Sequence, residues 1–440
     1  MKRIEPRHLQ VQVLVVGGGI AGLSAARTLA EEGSEFLVVE EYPFLGGQYL
    51  RNREGYRPRD TRTRRRGFKL LDWALERDEF WTSSLVLGCY TENGERQVAV
   101  SRGGEVFLIR PGKMIIATGA REKFLPFPGW TLPGVVSVGA VQALIKTSGT
   151  LPGREGIFAG TGPFLLASAH EFKKAGGRVA GIFELNSRGR AMSFMPFLLD
   201  GEKLREGMKY LLSLGNRLKF GWRVERVEKK GDGLEVRLVK GRKRHRAVVD
   251  FLAIGHGFSP NTELAQLCGC PVEYSAGLGG FVVKTGEDLG CGYGIYACGE
   301  VTGIGGARKS LIEGRIAALS ALGKKVPSAL LKRRERELRF ARALNTVFSV
   351  PSHLWKEIPD ETVICRCEDV TMGDIKKAVK EGFYLLRELK ETTRITMGNC
   401  QGRTCFPILT EYLRSSGISP QPMSVRPPVK PVEMGIFVSR

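Results

Sequence analysis

The N-terminal part of the chain alternates between apolar runs and one helical stretch. Residues 11–16 form a continuous apolar run, which is typical of a strand buried on both faces of a parallel sheet. Residues 23–30 favour a helix, Gly33 is placed to end it, and the apolar residues 36–39 predict a second strand. The hydrophobic pattern therefore predicts a βαβ unit at the start of the chain.

Three glycines separate the first predicted strand from the helix. Gly17, Gly19 and Gly22 have the spacing G-x-G-x-x-G, and Glu40 follows the second strand. The first glycine permits a tight turn, the second lets a pyrophosphate approach the backbone, and the third allows close packing of helix on strand. The helix N-terminus then faces the phosphates, and the acid can accept hydrogen bonds from a ribose. Together these features predict a dinucleotide site.

The same pattern recurs near the middle of the chain. An apolar run at 156–159 leads into Gly160 and Gly162, a helical stretch follows, and a strand at 179–183 ends at Glu184. Leu165 stands where the third glycine is expected, so this fingerprint departs from the strict form. The terminal acid favours an unphosphorylated ribose, hence NAD over NADP. Three alternatives stay open: NAD, another adenine nucleotide, or a relic that binds nothing.

Other apolar runs also end at glycine or polar residues. One strand ends at Thr118 and Gly119, and a second ends at Gly299 and Glu300 before a helix at 308–322. These two junctions flank the inserted second βαβ unit, and this arrangement favours FAD over a single NAD. The residues expected to hold FAD are Gly17, Gly19, Gly22, Glu40, Gly47, Gln48, Thr118, Gly119, Gly299, Glu300 and Gly306. The residues expected to hold the second nucleotide are Gly160, Gly162 and Glu184.

Gly47 belongs to a Gly-Gly pair of the kind that many flavoproteins place beside the flavin. In disulfide reductases a C-x4-C motif follows this pair. Here residue 48 is Gln and the first cysteine of the chain is Cys89. A redox-active disulfide at this position is therefore excluded.

Charge and composition change the picture only slightly. The net charge is +21, and eight arginines fall within residues 51–66, but no nucleic-acid module or interleaved stacking aromatics accompany them. A solvated segment or one facing an acidic partner is the better interpretation. Only eight Gln and seven Asn are present, a bias that resembles thermophile composition. No apolar run of about 18 residues and no signal peptide is evident, so we expect a cytoplasmic protein, attached to a membrane only through partners.

Four cysteines near the C-terminus form a candidate metal centre. Cys365 and Cys367 are spaced C-x-C, and Cys400 and Cys405 are spaced C-x4-C. Zinc ribbons prefer C-x2-C pairs, whereas four thiolates near backbone donors and Arg403 suit a [2Fe-2S] cluster. Zinc and free thiols remain the alternatives. Elsewhere, Cys291 and Cys298 are expected to be unpaired, buried residues.

A family resemblance becomes specific at these cysteines. Residues 365–370 and 397–405 look like the bacterioferritin-associated-ferredoxin type of [2Fe-2S] domain. Joined to the preceding dinucleotide pattern, this domain makes the chain resemble the FAD-containing alpha subunits of amine dehydrogenases that are built from several subunits. That group includes opine oxidases, hydrogen cyanide synthase, hydroxyproline dehydrogenase and dye-linked L-proline dehydrogenases. The resemblance covers nearly the whole chain and extends to residues 126–135, 160–163 and 426–432.

The resemblance implies an α/β fold with two dinucleotide-binding domains, similar to glutathione reductase, and a small, mostly helical C-terminal domain. The second, Rossmann-like domain is expected as an insertion into the first. The expected division is an FAD domain at 1–125 and 280–325, a second nucleotide domain at 126–279, a helical linker at 326–354, a [2Fe-2S] domain at 355–425 and a tail at 426–440.

The resemblance also implies partners. In that family a separate flavoprotein subunit of the glycine-oxidase type oxidises the amine, and a small ferredoxin-like subunit can accompany it. In agreement, no residue here forms an evident substrate-oxidising site, so we predict no catalytic residue and a hetero-oligomer. Two other functions stay open: a stand-alone NAD(P)H-dependent flavin oxidoreductase, and a scaffold in which the cofactors only stabilise the fold.

Overall fold

A computed structural model describes residues 6–51, 61–92, 95–198 and 201–437. The chain divides into two compact units. The first contains Met1–Arg121, Ser259–Arg342 and Ser424–Arg440, and the second contains Glu122–Phe258 and Ala343–Met423. The five-part domain division made from the sequence stays a prediction. Most of the arginine-rich segment lies outside the described residues.

The chain opens with the predicted βαβ unit. The elements up to residue 122 are β1 (Arg7–Val16), α1 (Ile20–Glu31), β2 (Phe36–Val39), α2 (Gly47–Leu50), α3 (Arg62–Leu75), β3 (Phe80–Trp81), β4 (Ser84–Glu92), β5 (Glu95–Arg102), β6 (Glu105–Ile116) and β7 (Ala120–Glu122). β1 lies between β2 and β6 and runs parallel to both. Because sheet faces on both sides are covered, the C-terminal half of β1 and all of β2 are apolar.

The second unit begins with another parallel sheet. Its elements are β8 (Val135–Ser137), α4 (Val138–Thr147), β9 (Glu155–Gly160), α5 (Pro163–Lys174), β10 (Arg178–Glu184), α6 (Arg188–Met192), α7 (Gly201–Leu214), β11 (Leu218–Phe220), β12 (Arg223–Lys230), β13 (Gly233–Lys240), β14 (Lys243–Val249) and β15 (Phe251–Gly255). The sheet has the order β11-β10-β9-β15-β8, and β12, β13 and β14 form a separate antiparallel sheet.

The chain then completes the first unit. The elements are β16 (Phe258–Pro260), α8 (Glu263–Leu267), β17 (Val272–Ser275), β18 (Gly280–Val283), β19 (Gly290–Gly292), β20 (Ile295–Ala297), α9 (Ala307–Ala321) and α10 (Ser328–Val347). β20 joins the first sheet parallel to β6 and gives the order β19-β20-β6-β1-β2-β3, with β4 and β5 attached as a meander. α9 packs closely on α1, since a Cβ atom on Gly314 would lie 2.2 Å from the carbonyl oxygen of Ala21.

The C-terminal part is mostly helical, as predicted. Its elements are α11 (Ser352–Lys356), β21 (Val363–Cys365), β22 (Val370–Thr371), α12 (Met372–Lys380), α13 (Leu386–Thr393) and α14 (Cys405–Ser415). This part shares one hydrophobic core with the second parallel-sheet fold. The indole nitrogen of Trp130 donates to the carbonyl oxygen of Val363 at 2.6 Å, which links the two.

One sequence expectation about cysteines is wrong. Cys291 was expected to be unpaired, but it forms a disulfide with Cys270. The two residues lie 21 positions apart, and the fold between β17 and β19 brings their Cα atoms to 5.3 Å. Cys298 is fully buried and free, as expected. Among the described residues, no helix is long and apolar enough to cross a membrane.

Candidate cofactor sites

The first glycine loop is shaped by two close backbone contacts. Gly17 has φ +111°, and a Cβ atom on it would lie 2.4 Å from the carbonyl oxygen of Ala117. A Cβ atom on Gly22 would lie 1.8 Å from the carbonyl oxygen of Gly17. No residue with a side chain fits either position without moving backbone. The structure therefore requires the first and third glycines for the reasons the sequence suggested.

The N-terminus of α1 is open to an anion. Gly19 caps this helix without a side-chain hydrogen bond, and the first turn holds no acidic residue. Opposite Gly19 lies Gly47, where a Cβ atom would stand 3.0 Å from the Cα atom of Gly19. Glycine thus lies on both sides of a cradle at the positive end of a helix. A pyrophosphate fits this arrangement, and the exposed Gln48 follows directly.

Glu40 lies buried beside this loop. Its carboxylate accepts hydrogen bonds from the backbone N–H of Gly18 at 2.7 Å and of Tyr42 at 2.9 Å. Burial raises the pKa of Glu40, and the two N–H donors partly oppose that rise. The acid at the end of β2 is therefore held next to the glycine loop, where a ribose hydroxyl can reach it.

The exit of β6 is fixed by a residue that sequence reasoning did not single out. Thr118 Oγ1 donates to the carbonyl oxygen of Asn261 at 2.8 Å, and Asn261 Nδ2 donates back to the carbonyl oxygen of Thr118 at 2.9 Å. The backbone N–H of Asn261 donates to the carbonyl oxygen of Gly119 at 3.0 Å. Asn261 is far from this strand in sequence, so no local pattern could have identified it.

Glu300 closes the loop that precedes α9. Its carboxylate accepts hydrogen bonds from the backbone N–H of Gly306 at 2.6 Å and of Gly305 at 3.2 Å. Burial raises the pKa of Glu300, and the positive charge of Lys309 opposes that rise. Gly299, Glu300 and Gly306 thus belong to one compact loop at the N-terminus of α9.

A fully buried ion pair lies under this loop. Lys309 Nζ donates to the carbonyl oxygen of Gly299 at 2.7 Å, to Thr302 Oγ1 at 2.7 Å and to Glu313 Oε2 at 2.8 Å. Glu313 also accepts from the backbone N–H of Gly299 at 2.9 Å and from Arg334 Nε at 2.9 Å. Burial alone would raise the pKa of Glu313, but Lys309 and Arg334 lower it. The sequence missed this network because Lys and Glu four positions apart usually mark an exposed helix face.

The second glycine loop repeats the backbone geometry of the first. Gly160 has φ +142°, and a Cβ atom on it would lie 1.8 Å from the carbonyl oxygen of Gly255. The carboxylate of Glu184 accepts from the backbone N–H of Gly162 at 2.8 Å and from Thr161 Oγ1 at 2.8 Å. Leu165 is buried in the core under α5. The three predicted residues lie together, with the side chain of Phe348 against Gly162.

The four predicted metal-ligating cysteines meet two by two. The Sγ atoms of Cys365 and Cys405 are in hydrogen-bonding contact, and so are those of Cys367 and Cys400. A hydrogen bond from the Cys405 thiol lowers the pKa of Cys365 to about 5, helped by backbone N–H groups and opposed by burial. In the part of the chain that the structure describes, no three His, Cys, Asp or Glu side chains converge on a point suited to a single metal ion. Two sulfur pairs match the four thiolates that hold a [2Fe-2S] cluster.

The loops around these cysteines are strained. Four of the seven non-glycine residues with positive φ in the described chain lie here: Asp369, Arg394, Thr396 and Gln401. Such strain is concentrated at ligand-binding sites, where the surrounding fold enforces it. A Cβ atom on Gly398 would lie 2.1 Å from Cys367 Cβ, so this position also requires glycine. The Arg403 guanidinium donates to the carbonyl oxygen of Cys400 at 3.1 Å.

His256 was expected to be a structural residue rather than a catalytic one. It is buried, and its Nδ1 accepts a hydrogen bond from the backbone N–H of Leu125 at 3.2 Å. Burial and the charge of Lys123 lower the pKa of His256 to about 3. The ring is therefore neutral at physiological pH and serves as a fixed hydrogen-bond acceptor.

Comparisons with known proteins agree with this geometry. Residues 11–321 match the family model of the pyridine nucleotide-disulphide oxidoreductases, and residues 363–415 match the model of the BFD-like [2Fe-2S] binding domain. The second match contains all four cysteines. The first implies FAD-type binding, and the second implies a [2Fe-2S] cluster.

Two curated relatives are similar over their full length. The chain is 33% identical to a subunit of opine oxidase from Rhizobium meliloti over 453 residues, which cover 96% of this chain and 97% of the relative. It is 31% identical to the HcnB subunit of hydrogen cyanide synthase from Pseudomonas aeruginosa over 465 residues, which cover 98% of each. The resemblance found in the sequence is therefore confirmed.

A solved structure shows the same fold. L-proline dehydrogenase from P. horikoshii superposes with a TM-score of 0.73 at 21% identity, covering 99% of this chain and 81% of that one. Thioredoxin reductase from T. acidophilum superposes with a TM-score of 0.54 at 16% identity and covers 71% of this chain and 98% of that one. The predicted fold class is confirmed.

Proposed function

The chain belongs to the pyridine nucleotide-disulphide oxidoreductase family, and on that basis we propose that it is the electron-transfer component of an amine or amino-acid dehydrogenase built from several subunits. The chain is an FAD-dependent oxidoreductase with a [2Fe-2S] module. One observation carries the proposal: the same chain combines an open glycine cradle with two adjoining pairs of thiols. A flavin exchanges two electrons with one redox partner and single electrons with another.

We assign separate roles to this chain's residues. The glycine loop and α1 N-terminus would bind the pyrophosphate, Glu40 would orient the ribose, and the loop at Glu300 would lie along the rest of the cofactor. The residues proposed to hold FAD are Gly17, Gly19, Gly22, Glu40, Gly47, Gln48, Thr118, Gly119, Gly299, Glu300 and Gly306. The proposed cluster ligands are Cys365, Cys367, Cys400 and Cys405.

We propose that substrate oxidation takes place on another polypeptide. The relatives are named as subunits, of opine oxidase and of hydrogen cyanide synthase. The partner would be a glycine-oxidase-like flavoprotein that oxidises a proline, hydroxyproline or opine-type amine, and a small ferredoxin-like protein would be a further component. The net charge of +21 favours an acidic partner surface.

The alternative is a stand-alone NAD(P)H-dependent flavin oxidoreductase. The geometry of Gly160, Gly162 and Glu184 favours it, since these residues retain the form of a nucleotide loop. The two functions differ in where the electrons enter. In the alternative they enter this chain directly from NAD(P)H.

An anaerobic titration of the purified chain separates the two. The starting spectrum should show flavin bands with a broad iron–sulfur shoulder. We expect NADH to leave the flavin oxidised, dithionite to reduce it, and an amine substrate to reduce it only when the partner flavoprotein is added. Reduction of the flavin by stoichiometric NADH alone would overturn the electron-transfer proposal and establish the alternative.

A further inference from the structure

The second nucleotide-type fold has an occupant of its own. In such folds a dinucleotide lies at the carboxyl ends of the parallel strands, with its pyrophosphate at the N-terminus of the following helix. Gly162 caps α5 and is the residue that should face the pyrophosphate. A Cβ atom on Gly162 would lie 3.6 Å from Phe348 Cβ and 3.8 Å from Phe348 Cγ. The space before this glycine is therefore in van der Waals contact with a phenylalanine.

Hydrogen bonds hold the same segment in place. The Arg190 guanidinium donates to the carbonyl oxygen of Thr346 at 2.9 Å and to Ser349 Oγ at 2.8 Å. Asn186 Nδ2 donates to the carbonyl oxygen of Ser349 at 3.3 Å. Asn186 and Arg190 follow closely after the acid at the end of β10, where an adenosine ribose would bind. The side chains that border the ribose position are thus engaged with residues 346–349.

An aromatic contact completes the anchor. The rings of Phe348 and Phe194 pack edge to face with their centroids 5.4 Å apart. The segment therefore combines an apolar contact with hydrogen bonds from two side chains, which is how a bound peptide is held rather than how a solvated connection behaves.

We propose that residues 346–349 fill the second dinucleotide crevice and that this fold binds a segment of its own chain instead of NAD. The segment comes just before α11 and the cysteine-bearing module. The crevice thereby anchors the entrance to that module. This inference goes beyond the electron-transfer proposal and holds for any partner or substrate.

The first test measures binding to the wild-type chain loaded with FAD. We expect titration with NADH or ADP-ribose, followed by calorimetry, to show no saturable binding up to about 1 mM. Amide hydrogen exchange should show residues 346–349 protected, and the protection should not change when NADH is added. Stoichiometric nucleotide binding that Glu184→Gln weakens by more than about tenfold would overturn the proposal. Unprotected amides in the segment would overturn it equally.

A pair of variants sharpens the test. Arg190→Ala removes two hydrogen bonds to the segment, whereas Arg188→Ala changes an exposed arginine two positions away. We expect hydrogen exchange at 346–349 to rise by about tenfold or more in Arg190→Ala and to stay unchanged in Arg188→Ala. Equal exchange in both variants would count against the anchor. Flavin reduction through the partner reports separately on the proposed function.

Discussion

The two glycine loops of this chain share a sequence pattern and differ in what lies opposite them. In both, the acid at the end of the second strand accepts a hydrogen bond from a loop N–H: Glu40 from Gly18 at 2.7 Å and Glu184 from Gly162 at 2.8 Å. Across from the helix N-terminus, however, the first loop has Gly47 and the second has Phe348. A fingerprint describes a loop, but a ligand also needs the space in front of it.

The third glycine position differs as well. Gly22 lets α1 approach its own loop, since a Cβ atom there would lie 1.8 Å from the carbonyl oxygen of Gly17. Leu165 instead fills the core between α5 and its sheet and is 2% exposed. The first loop is thus built for close approach and the second for side-chain packing. This difference can be tested from either side.

The largest effect is expected for Gly22→Ala. The new methyl group would meet backbone, so the loop must move, and we expect FAD affinity to fall by about a hundredfold or more. The matched variant Leu165→Ala should cost about 2–5 kcal/mol of unfolding free energy through the cavity it leaves, but leave FAD affinity unchanged. FAD titration of the apoprotein and chemical unfolding measure the two quantities. Normal FAD affinity in Gly22→Ala would break the comparison.

Replacing a cysteine should affect only the metal centre. In Cys365→Ser the buried pair with Cys405 loses one thiolate, so we expect bound iron and the iron–sulfur absorbance to be lost. FAD stoichiometry should stay at the wild-type value. The control is Cys298→Ala, a buried free cysteine in the first unit, which should keep its iron. Iron retained in Cys365→Ser would contradict the ligand assignment.

The sequence predicted what depends on neighbours along the chain. The glycines and acids of both loops are local features, and so is the C-x-C and C-x4-C spacing of Cys365 to Cys405. The sequence could not show that Phe348 faces Gly162 or that Cys270 pairs with Cys291, because tertiary folding brings these residues together. The buried network at Lys309 was missed for another reason: helical spacing of opposite charges gives no sign of burial.

That network makes the next prediction. Glu313→Gln leaves Lys309 buried without its counter-charge, and breaking such a pair typically costs about 3–5 kcal/mol of unfolding free energy. FAD affinity should fall too, because Glu313 accepts from the backbone N–H of Gly299. The control is Glu31→Gln, whose pair with Arg27 is exposed and should matter by less than about 1 kcal/mol. Equal destabilisation of the two variants would show that the first loop is not anchored by this charge.

The smallest effect concerns the ion pair that joins the second fold to the cysteine module. Glu411 on α14 lies 3.0 Å from Lys123 Nζ, and the charges of Lys123 and Arg414 lower its pKa although burial alone would raise it. The folded state then binds fewer protons than the unfolded chain, so the unfolding free energy falls as pH drops below the ordinary carboxyl pKa of 4.5.

Glu411→Gln should therefore lose about 1–3 kcal/mol of unfolding free energy at neutral pH and lose less of the remainder on acidification than the wild type. Chemical unfolding between pH 7 and about pH 4 measures both quantities. Glu391→Gln, which breaks an exposed pair with Arg387, should keep the wild-type pH dependence. If Glu411→Gln also kept it, the module would be held to the second fold by the shared apolar core alone, and the ion pair would have no measurable part in that attachment.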